Sequence, residues 1–289
     1  GSAIALLQMR HTCQEEDGDL DDGPDDIDHD GAMWEILSEL LTTLPKVLGA
    51  GWEPHFVALF PALLPYLGSS HPASDRSVAI GIVAETIHQM ENSAARWLPQ
   101  VLPLAIGCAA DADDASCRQN GVFCLGVLGQ HSGEPALPHV QSILSAIQPL
   151  LRDDEEPMVR DNAIGALSRL VLGFGAALPL ANIMPAILAG LPLTADAAEN
   201  VPAFRCLMRA THDEQSRALM APHVPRILAV FGTSLCADGD DAPDAALRAE
   251  IAQFVGWLHA QAPDQFRQVI ESLPAEARAP FMQMPPFQQ

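Results

Sequence analysis

One pattern recurs five times along this chain: an apolar residue, a second residue that is usually proline, any residue, then two more apolar residues. The copies are Phe60-Pro61-Ala62-Leu63-Leu64, Leu98-Pro99-Gln100-Val101-Leu102, Val140-Gln141-Ser142-Ile143-Leu144, Met184-Pro185-Ala186-Ile187-Leu188 and Val224-Pro225-Arg226-Ile227-Leu228. Their second positions lie 38, 42, 44 and 40 residues apart. A second series runs out of phase with the first. Arg76, Arg118 and Arg160 are spaced 42 and 42, and Asn120 and Asn162 are again 42 apart. A two-phase repeat of this length is a helix pair that cannot bury its apolar face alone and must stack on its neighbours. The pattern therefore predicts a helical solenoid, a class that offers long surfaces to other proteins and seldom carries chemistry.

The expected architecture is an all-α, right-handed α-α superhelix of the HEAT or armadillo kind, with about six helix pairs and a single domain over residues 1–289. Helices are expected at 31–49, 54–67, 73–90, 94–109, 113–131, 135–151, 156–173, 179–191, 196–211, 214–235, 243–261 and 263–272. Residues 3–12 read as the end of a helix from a longer protein, and Gly1-Ser2 as a cloning scar. Residues 15–30 hold ten acids in sixteen positions, with Gly18, Gly23 and Pro24 among them, so an acidic disordered loop is expected there. Residues 275–289, with Pro280, Pro285 and Pro286, read as a frayed or capping end. Proline recurs in the first helix of each pair, and an interior proline costs about 3 kcal/mol, so its register suggests a kink that lets outer helices wrap a curved array.

Charge narrows the function. Thirty-seven acidic side chains face 15 basic ones, of which Lys46 is the single lysine, and the net charge is −22. Such a surface repels phosphates, which excludes the outside of nucleic acids and favours a basic protein partner. The six cysteines form no CxxC pair and most sit in apolar helical runs, where a thiol acts as a small hydrophobe; this suits a reducing compartment. Leu170–Leu193 carries no charge, but Gly173, Gly175, Pro179, Asn182, Pro185 and Pro192 interrupt it, so no spanning helix and no membrane partner are expected. Metal-ligand spacing, nucleophile elbows and phosphate-binding glycine loops are all missing, which points away from an enzyme and from any metal or cofactor.

The second helix of each pair carries the candidate site. On a helical wheel Val159, Ala163, Ala166, Leu167 and Leu170 gather as core. Opposite lie Asp161, Gly165 and Ser168, flanked by Asn162 and Arg169. Shifting by the repeat gives Gln119, Asn120, Phe123 and Val127, then Ser77, Gly81 and Glu85, then Glu35, Glu39 and Thr43. Amides at repeat spacing can pair with the main chain of an extended peptide, and Gly81 and Gly165 would let it approach; two solvated asparagines in chance phase is the plainer reading. Phe123 and Trp34 serve equally as exposed cation–π grips or as core. Glu199 and Asn200 complete the candidate peptide-binding set. Arg76, Arg118 and Arg160 fit a structural Arg–Asp ladder with Asp75, Asp113, Asp114, Asp153 or Asp154. The tract of Glu15, Glu16, Asp17, Asp19, Asp21, Asp22, Asp25, Asp26, Asp28 and Asp30 lacks the glycine a calcium loop needs. It reads as a capture loop for a Lys/Arg-rich tail, or as a solvated linker.

Longer stretches resemble a known family. Asp28-His29-Asp30-Gly31-Ala32-Met33, Gly81-Ile82-Val83-Ala84-Glu85-Thr86-Ile87, Arg118-Gln119-Asn120-Gly121-Val122-Phe123-Cys124-Leu125-Gly126-Val127-Leu128, Val159-Arg160-Asp161-Asn162-Ala163-Ile164-Gly165-Ala166-Leu167-Ser168-Arg169-Leu170 and the segment from Phe266 to Leu273-Pro274 together are similar to the carboxy-terminal third of importin-4-type karyopherins of the importin-β superfamily. The resemblance implies a nuclear import receptor fragment that shuttles between cytoplasm and nucleus. Its cargo would be a Lys/Arg-rich localisation signal in core histones of the third and fourth type, possibly with their chaperone, or in ribosomal proteins. Ran-GTP and nucleoporins would be partners of the full-length protein, with Ran contacts mainly in repeats this chain lacks. The cargo contacts it implies are Asn120, Asn162, Glu85, Asp161, Glu35 and Glu39. A generic HEAT scaffold and an acidic histone chaperone remain the alternatives.

Overall fold

A computed structural model describes residues 2–8, 10, 11, 29–90 and 93–284. The described residues are helical and contain no strand. They form two compact units, Gly1–Ala146 and Ile147–Gln289. The first holds α1 (Ser2–Leu7), α2 (His29–Leu48), α3 (Glu53–Leu63), α4 (Ala73–Met90), α5 (Ala94–Ala109), α6 (Ala115–Ser132) and most of α7 (Val140–Ile147). The second holds α8 (Pro157–Phe174), α9 (Leu180–Gly190), α10 (Asn200–His212), α11 (Arg217–Met220), α12 (Val224–Leu235), α13 (Ala245–Gln261), α14 (Pro263–Ser272) and α15 (Ala275–Met282).

Most of the acidic tract, residues 15–28, lies outside the described residues. Its last two positions do not belong to a loop: α2 already begins at His29, which takes in Asp30. The carboxy-terminal segment is also more ordered than its prolines suggest, because Ala275–Met282 is a helix that buries Ala277 and Phe281. Pro280 leaves the Glu276 carbonyl without its helical N–H, and the Cys236 thiol donates to that carbonyl at 3.4 Å.

Local chemistry sets the helix ends. The Asp114 carboxylate accepts the Cys117 N–H at 2.6 Å and caps α6, and Asp244 does the same for Leu247 at 2.7 Å on α13. α8 opens with Pro157 at its first position and stops at Gly175, whose φ of 53° suits glycine. The recurring prolines Pro61, Pro99, Pro185 and Pro225 are all exposed, while Leu63, Val101, Ile187 and Ile227, each two residues after one of them, and Ile143, two residues after Gln141, are buried. The repeat seen in the sequence is thus an alternation of a wet edge and a dry one.

In the first unit α4 packs against α2, α5 and α6, around Ile80, Ile82, Val83, Ile87, Leu125 and Leu128. Trp97 meets Phe56 and Phe60 edge-on at 4.7 and 5.1 Å. In the second unit α8 packs on α9 and α10, and α12 on α14 and α15, with Phe204, Phe231 and Phe254 stepping through the core at 4.9 and 5.9 Å. Each such side chain contributes roughly 1.5–3 kcal/mol by leaving water. Cys108, Cys117, Cys124 and Cys206 are buried free thiols, and burial pushes Cys206 up to about 12. Two runs, Trp34–Leu67 and Arg217–Leu235, are apolar and long enough for a bilayer by composition, but each is divided into separate helices, at Gly49–Trp52 and at Ala221–His223.

The arginine series is structural. Arg76, Arg118 and Arg160 each turn back on the loop before their helix, donating to the carbonyls of His71, Asp111 and Asp153 at 2.7, 3.1 and 3.4 Å. Arg217, Arg248 and Arg278 repeat the device on His212, Pro243 and Glu271. An ion pair reaches between repeats at Arg76, whose partner is Asp111. Asp154 instead pairs with Arg152.

Asp111 gives this clamp a pH dependence. Burial alone would raise its carboxyl pKa, but the backbone amides of Asp114 and Asp113 and the Arg76 guanidinium outweigh burial and hold it below the ordinary carboxylate range. A pKa lowered on folding contributes stability above the unfolded value, near 3.9 for Asp, that is lost as pH falls through the folded value. Asp111→Asn should therefore lower stability by about 2 kcal/mol at neutral pH, the scale of hydrogen bonds to a charged group. The difference from the parent should shrink to nothing in strong acid. Denaturant titrations across that range check it, and a pH-independent difference would contradict it.

Candidate functional site

The predicted contact residues separate into two environments. In the first unit, Ser38, Glu39, Thr42 and Lys46 of α2, Val78, Gly81 and Glu85 of α4, and Asn120 and Phe123 of α6 line one open groove of about 310 Å³. Positions 38, 42 and 46 recur every four residues and so share one face of α2. Glu85 is half-buried, and the ammonium of Lys46 sits 3.5 Å from its Oε1.

Asn120 meets the groove with half its amide. Its Nδ2 donates to Ser77 O and Ser77 Oγ at 3.0 and 3.1 Å, which ties α6 to α4 and uses both amide hydrogens. The carbonyl oxygen is left to accept from a ligand. Gly81 is small for the sake of this contact, since a Cβ there would lie 3.2 Å from Asn120 Nδ2. Phe123 is half-buried, held edge-on by His88 at 6.1 Å, and His88 Nδ1 lies 3.3 Å from His131 Nε2. The groove therefore has an aromatic wall at Phe123, two carboxylates at Glu39 and Glu85 with the Lys46 ammonium beside them, hydroxyls at Ser38 and Thr42, and an amide oxygen at Asn120.

Three further predicted residues of the first unit do not line this groove. Glu35 is exposed on α2, one turn before Glu39. Gln119 is half-buried beside Asn120. Trp34 is no exposed grip: it stacks on Tyr66 at 4.8 Å, and the Tyr66 hydroxyl donates to Leu7 O at 2.7 Å, which fastens α1.

In the second unit the corresponding face is closed. Every residue of α8 from Asp161 to Val171 is buried, including those expected on a wet face. Segment 191–199 covers them. Asp161 Oδ2 accepts the N–H groups of Thr194, Ala195 and Asp196 at 3.2, 2.8 and 3.0 Å. Asn162 Nδ2 donates to Met158 O and Asp196 Oδ2 at 2.9 and 2.8 Å. Asn200 closes both ends of its amide on Leu193, accepting from N at 2.9 Å and donating to O at 2.8 Å. Glu199 is buried in a two-pronged pair with Arg169, and one prong, Nη2 to Oε1, is 2.8 Å. Gly165 makes room for that carboxylate, because a Cβ there would lie 1.6 Å from Glu199 Oε2. Asp161, Asn162, Glu199 and Asn200 hold the chain's own loop in the place where a peptide was expected.

Sequence reasoning missed Ser38, Thr42, Lys46 and Val78. Their spacing from Glu39 and from Gly81 could have found them. Placing Thr43 in place of Thr42 was a one-position error on the α2 wheel.

Comparison with known proteins agrees with this architecture. The HEAT-like repeat family matches residues 115–170, which run from α6 into α8. The chain is 29% identical over 279 residues to human importin-4, covering 96% of this chain and 25% of that protein. It is 29% identical over 196 residues to mouse importin-4, covering 68% and 18%. With a probable importin subunit beta-4 of Schizosaccharomyces pombe the identity is 26% over 281 residues, covering 94% and 26%. The chain thus spans about a quarter of the length of human importin-4 and of the yeast protein. The all-helical described residues and the matched repeat are those of a HEAT-repeat solenoid, and over nearly its whole length the chain is similar to a segment of importin-4-type karyopherins.

Proposed function

We propose that this segment recognises cargo for a nuclear import receptor, and that the groove between α2, α4 and α6 holds an extended Lys/Arg-rich stretch of that cargo. One observation carries the reading: Glu39 and Glu85 line a groove with the open carbonyl of Asn120 and the ring of Phe123. Carboxylates attract cationic side chains, an amide oxygen accepts from a peptide N–H, and an aromatic wall packs against aliphatic stems. The net charge of −22 would add long-range attraction for a basic tail. Tails of the third and fourth core histones, alone or with a chaperone, and basic ribosomal proteins are the cargoes of this chemistry. Ran-GTP and nucleoporins would engage other repeats of a full-length, shuttling receptor.

Glu39→Gln combined with Glu85→Gln should weaken a fluorescent histone-tail peptide by about tenfold at low salt, the scale of two exposed ion pairs. Asn162→Ala serves as the contrast. It should lower the denaturation midpoint, because Asp196 and Met158 lose a donor, and leave peptide affinity unchanged. Anisotropy titrations over a salt series measure the first effect. Unaltered affinity in the double variant would remove the groove from recognition and favour a scaffold or a tail-driven chaperone.

A further inference from the structure

We infer that Lys46 is a built-in competitor for this groove, a cation of the chain's own that sits where a cargo lysine or arginine would. The inference rests on the reading of the groove given above. Its first support is composition: Lys46 is the single lysine among 289 residues, and the other fourteen basic side chains are arginines. The described arginines mostly clamp loop carbonyls or close ion pairs between helices, as Arg76, Arg169, Arg205 and Arg248 do. A planar guanidinium suits those fixed, forked contacts, whereas an ammonium on a flexible stem suits a contact that must be released.

The second support is position. Lys46 lines the groove, its side chain is 54% exposed, and its Nζ lies 3.5 Å from a carboxylate that is 25% exposed. An exposed pair at this distance is weak enough to exchange for a stronger partner. It also lowers the charge that the groove presents, since one ammonium faces the two carboxylates of Glu39 and Glu85. A single isolated cation would gain little by displacing it. A segment with several basic residues would gain contacts at Glu39, Asn120 and Phe123 as well, so the competitor raises the threshold for isolated charges and spares clustered ones. A lysine in the last turn of α2 also suits the helix dipole. That role needs no carboxylate opposite, and the test below separates the two.

The experiment is calorimetric titration of a histone-tail peptide into the whole chain, as parent, Lys46→Met, Glu85→Gln and the double variant. Lys46→Met should tighten binding about threefold, the scale of one exposed ion pair, and Glu85→Gln should weaken it. In the Glu85→Gln background, replacing Lys46 should bring little further gain, because its counter-ion is already gone. A second readout uses the uniqueness of the lysine. Reductive methylation with isotope-labelled methyl groups, which keeps the charge, marks one side chain, and its resonance should move as peptide displaces it. An equal gain in both backgrounds would reduce Lys46 to a general field effect and overturn the inference. So would unchanged or weaker binding by Lys46→Met, although a loss with Glu85→Gln would leave the groove reading standing. If the parent and all variants fail to bind, the groove reading falls and the inference falls with it.

Discussion

Replacing Arg169 by methionine should lower the stability of the second unit by about 3–5 kcal/mol, the cost of leaving one member of a buried ion pair alone. Arg169 and Glu199 side chains are 6% and 5% exposed, and the carboxylate lies against Gly165, where a Cβ would fall 1.6 Å from Glu199 Oε2. Without the guanidinium, Glu199 must either take up a proton or pull segment 191–199 off α8 to reach water. The second course also breaks the bonds from Asp161 to Thr194, Ala195 and Asp196. Glu199→Met added to Arg169→Met should recover part of the loss, because two apolar side chains need no charge partner. Denaturant unfolding followed by circular dichroism reads both effects. A loss under about 1 kcal/mol for Arg169→Met would place the pair among exposed ones and would contradict the burial described here.

The helices were plain in the sequence, whereas of the candidate contact residues only some of the first unit lie on an open groove, for one physical reason. Helix pairing is a local property, written in the spacing of apolar residues and in Pro, Gly and Asp at the connections, so α4, α5 and α14 have the bounds expected of them. Whether a polar face is wet depends on what another segment does. Asn120 and Asn162 are equivalent in the repeat, yet one borders an open groove while the other is sealed under 191–199. A wheel drawn from α8 alone cannot show that lid. One hint of it was present: the stretch Leu191-Pro192-Leu193-Thr194-Ala195, just before Glu199 and Asn200, is apolar enough to pack and polar enough to be tied down. The final helix was obscured in a similar way, since Pro280 and Pro285 suggested fraying while Phe281 anchors the turn in the core.

Glycine-to-alanine substitutions should change sign from one helix to the next. Gly121 in α6 and Gly232 in α12 lie where two helices meet backbone to backbone. A Cβ at 121 would come within 2.5 Å of Ala109 N in α5, and one at 232 within 1.9 Å of Ala277 O in α15. A main-chain atom cannot turn aside as the tip of a side chain can, so each pair of helices must separate and lose contact along its length. Gly121→Ala and Gly232→Ala should each cost about 3 kcal/mol, the upper end of ordinary overpacking. Gly107 in α5 and Gly256 in α13 are also helical, but a Cβ at either meets nothing within 4 Å. There the change only removes backbone freedom from the unfolded chain, and each should stabilise by about 0.5–1 kcal/mol. Denaturation midpoints of the four single variants settle the signs. For Gly232→Ala, amide exchange adds a local readout, because α15 is a single short helix that can lift off while the rest of the unit stays folded. The amides of Arg278, Ala279, Phe281 and Met282 should then lose protection before those of α10 and α13. Retained protection in α15 together with an unchanged midpoint would mean that α12 and α15 do not approach as closely as described.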